Sequence, residues 1–548
     1  MKKLIILAAA FLMAVMATAQ TAEGFKPYRQ TALRLPSVPL LVNDPYFSIW
    51  SPYNELNAGN PTHWSPRQKP FEGLLRVDGE VYRFLGAGSK MLLDVVAPLG
   101  ADDEWTALYT EEQPAEGWQH PDFDTKGWKE GTGAFGTTDN PGVRTKWAAE
   151  NADLYIRRTV TLTQEQLDAD LYLIYAHDDD GDIYVNGVLA KSEQGYRSSS
   201  RIPLRGKLKQ ALHAGDNVIA MKLHNGIKGT YADFGIYRNI SGNLTRVKKA
   251  KQLSVDVLAT SSYYTFECGP VQLDVVFTAP MLIDDLDLIS TPINYISYQV
   301  RSTDGQAHDV QFYLSANPLV AKMKADQPTR SNVEQHGGLS YLKTGTIDQP
   351  ILASKGDSRC IDWGYLYIPA INGKVCLGKE NEVLNSFITT GKLPATQTDM
   401  VSRKTYDAPA LAYTKDFGKV TEGRSYMTVG YDEVYDIEYM YHRYKGYWAR
   451  DGKTTIFDAF DKLHRGYSSI MERCRALDKM IYDDALASGN ERYAEILSAS
   501  YRQVMAAHKL VESPQGELLY LSKENFSNGS INTVDLTYPS CPMYLLYN

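Results

Sequence analysis

The chain has 548 residues, with 57 Lys and Arg against 65 Asp and Glu, and a formal net charge of -8 at pH 7. That acidic balance lacks the basic face a nucleic-acid binder requires, so no nucleic-acid partner is expected. The length predicts roughly three to four domains, and 5 Cys in so long a chain are too few for a disulfide scaffold.

Lys2 and Lys3, the apolar run from Leu4 to Met16 and the small residues Ala17, Thr18 and Ala19 before Gln20 read as a signal peptide over residues 1–19. The expected mature chain starts near Gln20 and is exported, to the periplasm or the extracellular space. The apolar run is too short for an anchor, and no later stretch approaches about eighteen uninterrupted apolar residues, so no transmembrane segment is expected.

From Pro27 to Lys90, short apolar runs alternate with turn residues. Leu74 to Val77, the turn Asp78-Gly79 and Val81 to Leu85 predict a β-hairpin. Asp44 to Pro52 (DPYFSIWSP), with His63 and Trp64, reads as a packed aromatic corner.

A different texture runs from residue 102 to 245. Leu154, Ile156, Val160 and Leu162 mark one face of a strand, and further short strands follow at Leu171 to Ala176, Ile183 to Val185 and Asn217 to His224. Regular strands with turns between them predict a β-sandwich. The patterns around Phe123, Trp128 and Phe135, together with DGDIYVNG and GDNVIAMKLHN, resemble the galactose-binding-like jelly roll at the front of many family 2 glycoside hydrolases. The acidic turn Asp178 to Asp182 does not match the EF-hand spacing for calcium.

Strand-length runs resume at Gln252 to Leu258, Tyr263 to Cys268, Val271 to Phe277, Tyr295 to Ser302 and Val310 to Ser315. The segment 102–245 therefore reads as an insert in one large β-sandwich spanning 20–101 and 246–445. Cys360 and Cys376 either pair across adjacent strands or remain buried thiols. No C-x-x-C pair or H-E-x-x-H is present, so no zinc site is assigned.

Beyond Tyr447 the period changes. Ile456, Phe460, Leu463, Tyr467, Ile470, Cys474, Leu477 and Ile481 form the stripe of a helix about two and a half dozen residues long. Ser488-Gly489 ends it, and Asn490 caps a second helix with Tyr493, Ile496, Leu497, Ser500, Val504 and Ala507 on one face. The two form an antiparallel hairpin, and 446–548 reads as the start of a larger helical domain. His508 is expected to lie on the helix feeding the terminal stretch, packed or solvated rather than catalytic.

Within twelve positions of that stretch stand Glu524, Asn525, Asn528, Asn532 and Asp535. This density of acids and amides suits a substrate-facing loop; a plain turn at Asn528-Gly529 with solvated acids is the alternative.

Outside the insert, the chain resembles the exported glutaminase A family. The resemblance rests on DPYFSIWSP (44–52), HW (63–64), GLLRVDGEVYRFLG (73–86), residues 254–316, IDWGYLYIP (361–369) and above all residues 501–540. It implies a multidomain, mainly β protein: a large β-sandwich with an inserted jelly roll, followed by the first helical hairpin of an (α/α) six-hairpin toroid that carries the active site. It also implies glutamine hydrolysis to glutamate and ammonia. Because the sequence stops after the opening hairpin, the catalytic domain reads as truncated and the chain by itself is expected to be inactive.

Amide hydrolysis needs an activated water or nucleophile, a proton donor for departing ammonia and stabilisation of the oxyanion. Asp535 is assigned as acid or base, with Glu524 second, and Asn528, Asn525 and Asn532 as amides that orient the substrate. The alternative is a carbohydrate-active protein, either a six-hairpin glycosidase using two carboxyls or a sugar-binding accessory module. The substrate is then a small molecule, glutamine or a glycan, and no cofactor or metal is assigned.

Overall fold

The computed structural model describes residues 22–87, 93–100, 102–138, 140, 142–227, 229–241, 246–324, 327–353, 356–402, 408–524 and 528–547. The expected signal peptide therefore lies outside the described residues. Two compact units divide the chain, one formed by Met1–Ser89 with Asn243–Asn548 and the other by Lys90–Gly242.

The first unit is a β-sandwich backed by helices. A six-stranded sheet runs in the order Lys248–Lys249, Glu80–Leu85, Phe71–Val77, His308–Ala316, Pro409–Val420 and Lys374–Lys379. At its centre is the hairpin foreseen at residues 74–85, where Val77 pairs with Glu80. Asp78 and Gly79 turn the chain with φ of 49° and 92°, the left-handed geometry a two-residue turn needs and that Asp and Gly tolerate.

Facing it is a nine-stranded sheet whose middle strands are Val271–Thr278, Ile293–Ser302 and Glu422–Asp432. Both of its faces are covered, and the alternation within single strands shows how. Ile296, Tyr298 and Met427 enter the sandwich core with Phe84, Phe312 and Leu411. Tyr295 and Tyr426 point the other way, into a second core with Phe460, Leu463 and Tyr467 of the long helix. Because the side-chain period of a strand is two, a strand buried on both faces reads as a continuous apolar run.

That helix, α1 (Ile456–Ser488), starts from a capping box in which Thr455 accepts from the Asp458 amide and the Asp458 side chain accepts from the Thr455 amide. Its buried stripe includes every residue foreseen for it. Tyr467 stacks on Tyr426 with ring centroids 3.6 Å apart, and the Tyr295 hydroxyl donates to the Leu463 carbonyl at 2.7 Å.

The second helix, α2 (Glu491–Ala506), is capped by Asn490 as expected. Its buried face differs from the expected one. Ala494, Glu495, Ser498, Tyr501, Arg502 and Met505 turn inward, while Tyr493 and Ile496 are exposed. The apolar stripe was the more hydrophobic choice, but the sheet and α1 accept a face of small and polar residues. Leu497, Ser500 and Val504 instead line a groove of about 270 Å³ with Met543, Leu546 and Tyr547 of a third helix, α3 (Val534–Tyr547).

The terminal stretch, read as loop, contains that third helix. Pro539 and Pro542 lie inside it and mask it in the sequence, since each removes a helical hydrogen bond. Tyr544 meets the rings of His508 and Tyr520, and Tyr547 meets Tyr501.

The second unit consists of two six-stranded sheets. Leu154, Ile156, Val160 and Leu162 do share the inner face, against Trp105, Phe135 and Phe234. The unit begins near Lys90 rather than at 102 because Leu93–Ala97 pairs with Tyr231–Asn239. In the acidic turn, Asp179 Oδ2 accepts from the Gly226 amide and Asp180 Oδ1 from the Gly195 amide, both at 2.8 Å.

All five cysteines are free, so the Cys360–Cys376 pairing does not form; their sulfurs lie against the Lys322 and Pro394 carbonyls. Among the described residues no helix is long and apolar enough to cross a membrane, and no group of three or more His, Cys, Asp or Glu is gathered as a metal site.

Candidate functional site

Between α2 and α3 the chain forms a β-hairpin, His508–Glu512 with Leu518–Ser522, and then the loop that carries the expected site residues. His508 is the first residue of this hairpin rather than part of a helix. Its Nδ1 is within 2.7 Å of the Val504 carbonyl and its ring stacks on Tyr520. Burial holds its imidazole below the ordinary range. It is a packed residue, as expected.

The hairpin is fastened to the sandwich by five buried ionisable side chains. Lys523 Nζ lies 2.6 Å from Asp44 Oδ2 and 3.4 Å from Glu433 Oε2, and donates to the Asp436 carbonyl at 2.9 Å. Lys509 Nζ lies 2.6 Å from Asp436 Oδ1 and 3.0 Å from Glu433 Oε1. None of the five side chains is more than 6% exposed. The cluster joins three distant segments: the aromatic corner through Asp44, the end of the last sandwich strand through Glu433 and Asp436, and the terminal hairpin through the two lysines.

Burial opposes the charge on both lysines, but Asp436, Glu433 and Asp44 outweigh it at Lys509, and Asp44 and Glu433 at Lys523, so both ammoniums are held above the ordinary range. Three carboxyls against two ammoniums leave one negative charge in excess. Burial first, then the neighbouring Asp44, pushes Glu433 up to about 8, so Glu433 is a group whose proton relieves that excess.

The aromatic corner closes over the cluster. Lys523 Nζ sits 4.4 Å from the Tyr46 ring centre, Tyr46 meets Trp363, and Phe47 stacks on Tyr431 at 4.3 Å. His63 is fully enclosed, its ring nitrogens within 2.8 Å of Ser65 Oγ and 2.7 Å of the Pro45 carbonyl. Burial, with Lys69 next, brings its imidazole down to about 3.

The loop leaves this anchor directly after Lys523. A bridge between Lys523 and Ile531 closes its neck. The Glu524 amide donates to the Ser530 carbonyl at 2.9 Å, and the Asn532 amide to the Ser522 carbonyl at 2.8 Å. Glu524 and Asn532 thus flank the neck. The Tyr46 hydroxyl reaches the Glu524 carbonyl at 3.4 Å. Asn528 accepts from the Ser530 amide at 2.7 Å, a local turn of the kind the plain reading foresaw. Asn532, at φ 56°, accepts from Thr537 Oγ1 at 3.1 Å and so ties the loop's exit to α3. Asp535 stands exposed in the first turn of α3. Asn525 lies outside the described residues.

An exposed carboxylate on a helix turn, beside a loop edged by a second carboxyl and amides, has the groups to activate water and orient a polar substrate. Sequence reasoning missed Lys509 and Lys523. No local pattern marks them: both faces of His508–Glu512 are buried, so parity does not single out Lys509, and Lys523 follows the strand Leu518–Ser522.

Three family models match the chain. Residues 10–98 match the Domain of unknown function (DUF4964), residues 260–484 the Domain of unknown function (DUF5127), and residues 490–548 the Glutaminase A six helical-hairpin domain. Glutaminase A of Aspergillus oryzae is 27% identical over 324 residues, 56% of this chain and 46% of its own length. Over these segments the chain is similar to glutaminase A, and its residues 490–548 match that family's helical domain.

A second relative, a probable glutaminase of Arthroderma benhamiae, is 25% identical over 34% of this chain and 23% of its own length. The chain thus spans less than half the length of either curated relative. Among solved structures, a β-glucuronidase of an uncultured Clostridium aligns with 60% of this chain and 45% of its own at 7% identity and a TM-score of 0.21. A Ruminococcus gnavus β-glucuronidase in complex with D-glucuronic acid covers 53% of this chain and 47% of its own at 11% identity and a TM-score of 0.22. At these TM-scores neither likeness bears on the reaction.

Proposed function

We propose that this chain serves an exported amidohydrolase that converts glutamine to glutamate and ammonia, with the loop from Glu524 to Asp535 forming one wall of the substrate site. The observation that carries the reading is the match of residues 490–548, which contain that loop, to the Glutaminase A six helical-hairpin domain. The buried anchor supports it, because a loop that must present polar groups precisely gains from a rigid base.

In the proposed reaction a water oxygen attacks the side-chain amide carbon of glutamine. Asp535 takes the water's proton and returns it to the amide nitrogen, so that the C–N bond breaks with ammonia as the leaving group. Glu524 is the second candidate for this role. Asn528, Asn525 and Asn532 orient the substrate by hydrogen bonds.

Export is part of the proposal and rests on residues 1–19 of the sequence. The test is incubation of the complete gene product, and of this chain alone, with glutamine and with a panel of glycosides. Ammonia without sugar release is expected from the gene product; sugar release without ammonia rejects the amidohydrolase in favour of a glycosidase. Full activity of the 548-residue chain would reject its expected inactivity.

A further inference from the structure

The core between α1, α2 and the nine-stranded sheet contains polar groups that the loop and its anchor do not use. Arg502 of α2 is 0% exposed, yet Nε, Nη1 and Nη2 all lack a hydrogen-bond partner. Ser498, one turn earlier on the same face, is 0% exposed with its Oγ also unpartnered. Across from them on α1, Asp478 is 0% exposed; its Oδ1 accepts from the Thr260 amide at 2.6 Å, and its Oδ2 is unpartnered. Asp478, Cys474 and Tyr263 are the charged or ionisable groups whose fields act on Arg502.

The imbalance among these groups is one of kind. A guanidinium offers five N–H donors and no acceptor, and Ser498 adds a sixth donor. Against them stand one carboxyl oxygen and the serine lone pairs. Leaving such donors empty in the interior is strongly unfavourable. Water does not correct the excess, since each molecule brings as many donors as acceptors. An occupant that only accepts does. Complete burial limits its size, and the positive guanidinium selects its charge.

We propose that Arg502 and Ser498, facing Asp478 across the α1–α2 interface, form a buried binding site for a small monovalent anion of the halide class. Asp478 is the group that would oppose it. Burial raises that carboxyl to about 7, so close to neutrality it holds a proton in much of the population and then adds a donor rather than a repelling charge. The occupant would lock α2 to α1 and to the sheet, directly upstream of the hairpin that bears the terminal loop.

Crystals of the full chain soaked in sodium bromide test this by anomalous scattering. The expected result is a bromide peak within hydrogen-bonding reach of Arg502 and Ser498. Water there without anomalous signal, or a direct Arg502–Asp478 ion pair, overturns the proposal. In solution, the melting temperature is followed from low to high chloride against gluconate at matched ionic strength. Wild type is expected to gain several degrees in chloride alone, by linkage, and Arg502→Met to lose that difference whatever its own stability. Asp478→Asn, which removes the opposing carboxyl, is expected to retain the bromide peak. Equal melting in the two salts contradicts the site.

Discussion

Replacing Glu433 by Gln removes a fully buried carboxyl of the cluster, one whose neutral form burial favours. Its carboxyl is pushed from an ordinary 4.5 up to about 8, with burial the leading cause. A carboxyl raised in the folded state stabilises the fold below its unfolded value, and that contribution is lost as pH rises through the folded value. At about 1.4 kcal/mol per pKa unit, wild type should lose on the order of 4 kcal/mol from this group between about pH 5 and pH 9. Full burial leaves the effect unscreened by solvent.

The glutamine amide keeps the shape of the side chain and an acceptor for Lys509 but does not ionise. The Glu433→Gln variant should therefore match wild type to within about 1 kcal/mol at pH 5 and exceed it by about 3–4 kcal/mol at pH 9. Urea unfolding at half-unit pH steps measures both curves, and their difference isolates Glu433 from Asp478 and His63, which titrate in neighbouring windows. Parallel curves from pH 5 to 9 would refute a titrating Glu433. A variant that is less stable at pH 9 would show that the cluster needs the negative charge.

Three further outcomes follow from the same structure. Lys523→Met takes from Asp44 its nearest ammonium and from Glu433 the farther of its two, and should cost about 3–5 kcal/mol in denaturant unfolding, with faster amide exchange at Glu524 and Asn532 as the loop's neck loosens. His63, held down at about 3 by burial and then Lys69, contributes stability that is present above its unfolded value near 6.5 and is lost as pH falls toward 3; His63→Asn should flatten the acid limb of the melting curve relative to wild type. Phe460→Ala empties the contact between α1 and Tyr341, 5.7 Å away in ring centres, and should cost about 3–5 kcal/mol by urea unfolding.

What the sequence made legible was local or periodic. The hairpin at 71–85 was readable because Asp78-Gly79 can adopt the turn that few other pairs can. The stripe of α1 was readable because a helix lying on a sheet keeps one apolar face over its whole length. The buried face of α2 was not, because hydrophobicity pointed to Tyr493 and Ile496, whereas the packing partner selects Ala494, Ser498 and Arg502. Helix α3 was hidden by two prolines, and is held by tyrosines that meet residues dozens of positions away.

The site divides along the same line. Glu524, Asn532 and Asp535 stood out by local density, and the structure sets the first two across the loop's neck and the third on the next helix. Their anchor did not stand out. Asp44, Glu433, Asp436, Lys509 and Lys523 are spread over most of the chain, and each alone reads as an ordinary surface charge. Only the fold brings them within 4.0 Å of one another's partners.

The role assigned to the terminal loop is tested most directly by the steady-state rate of ammonia release from glutamine by the complete gene product, wild type against Asp535→Asn. Asp535 is exposed and the substitution keeps its shape, so melting should be unchanged while kcat/KM falls by about 10²–10⁴-fold. Undiminished ammonia release from the variant, with the same melting temperature, would contradict the account.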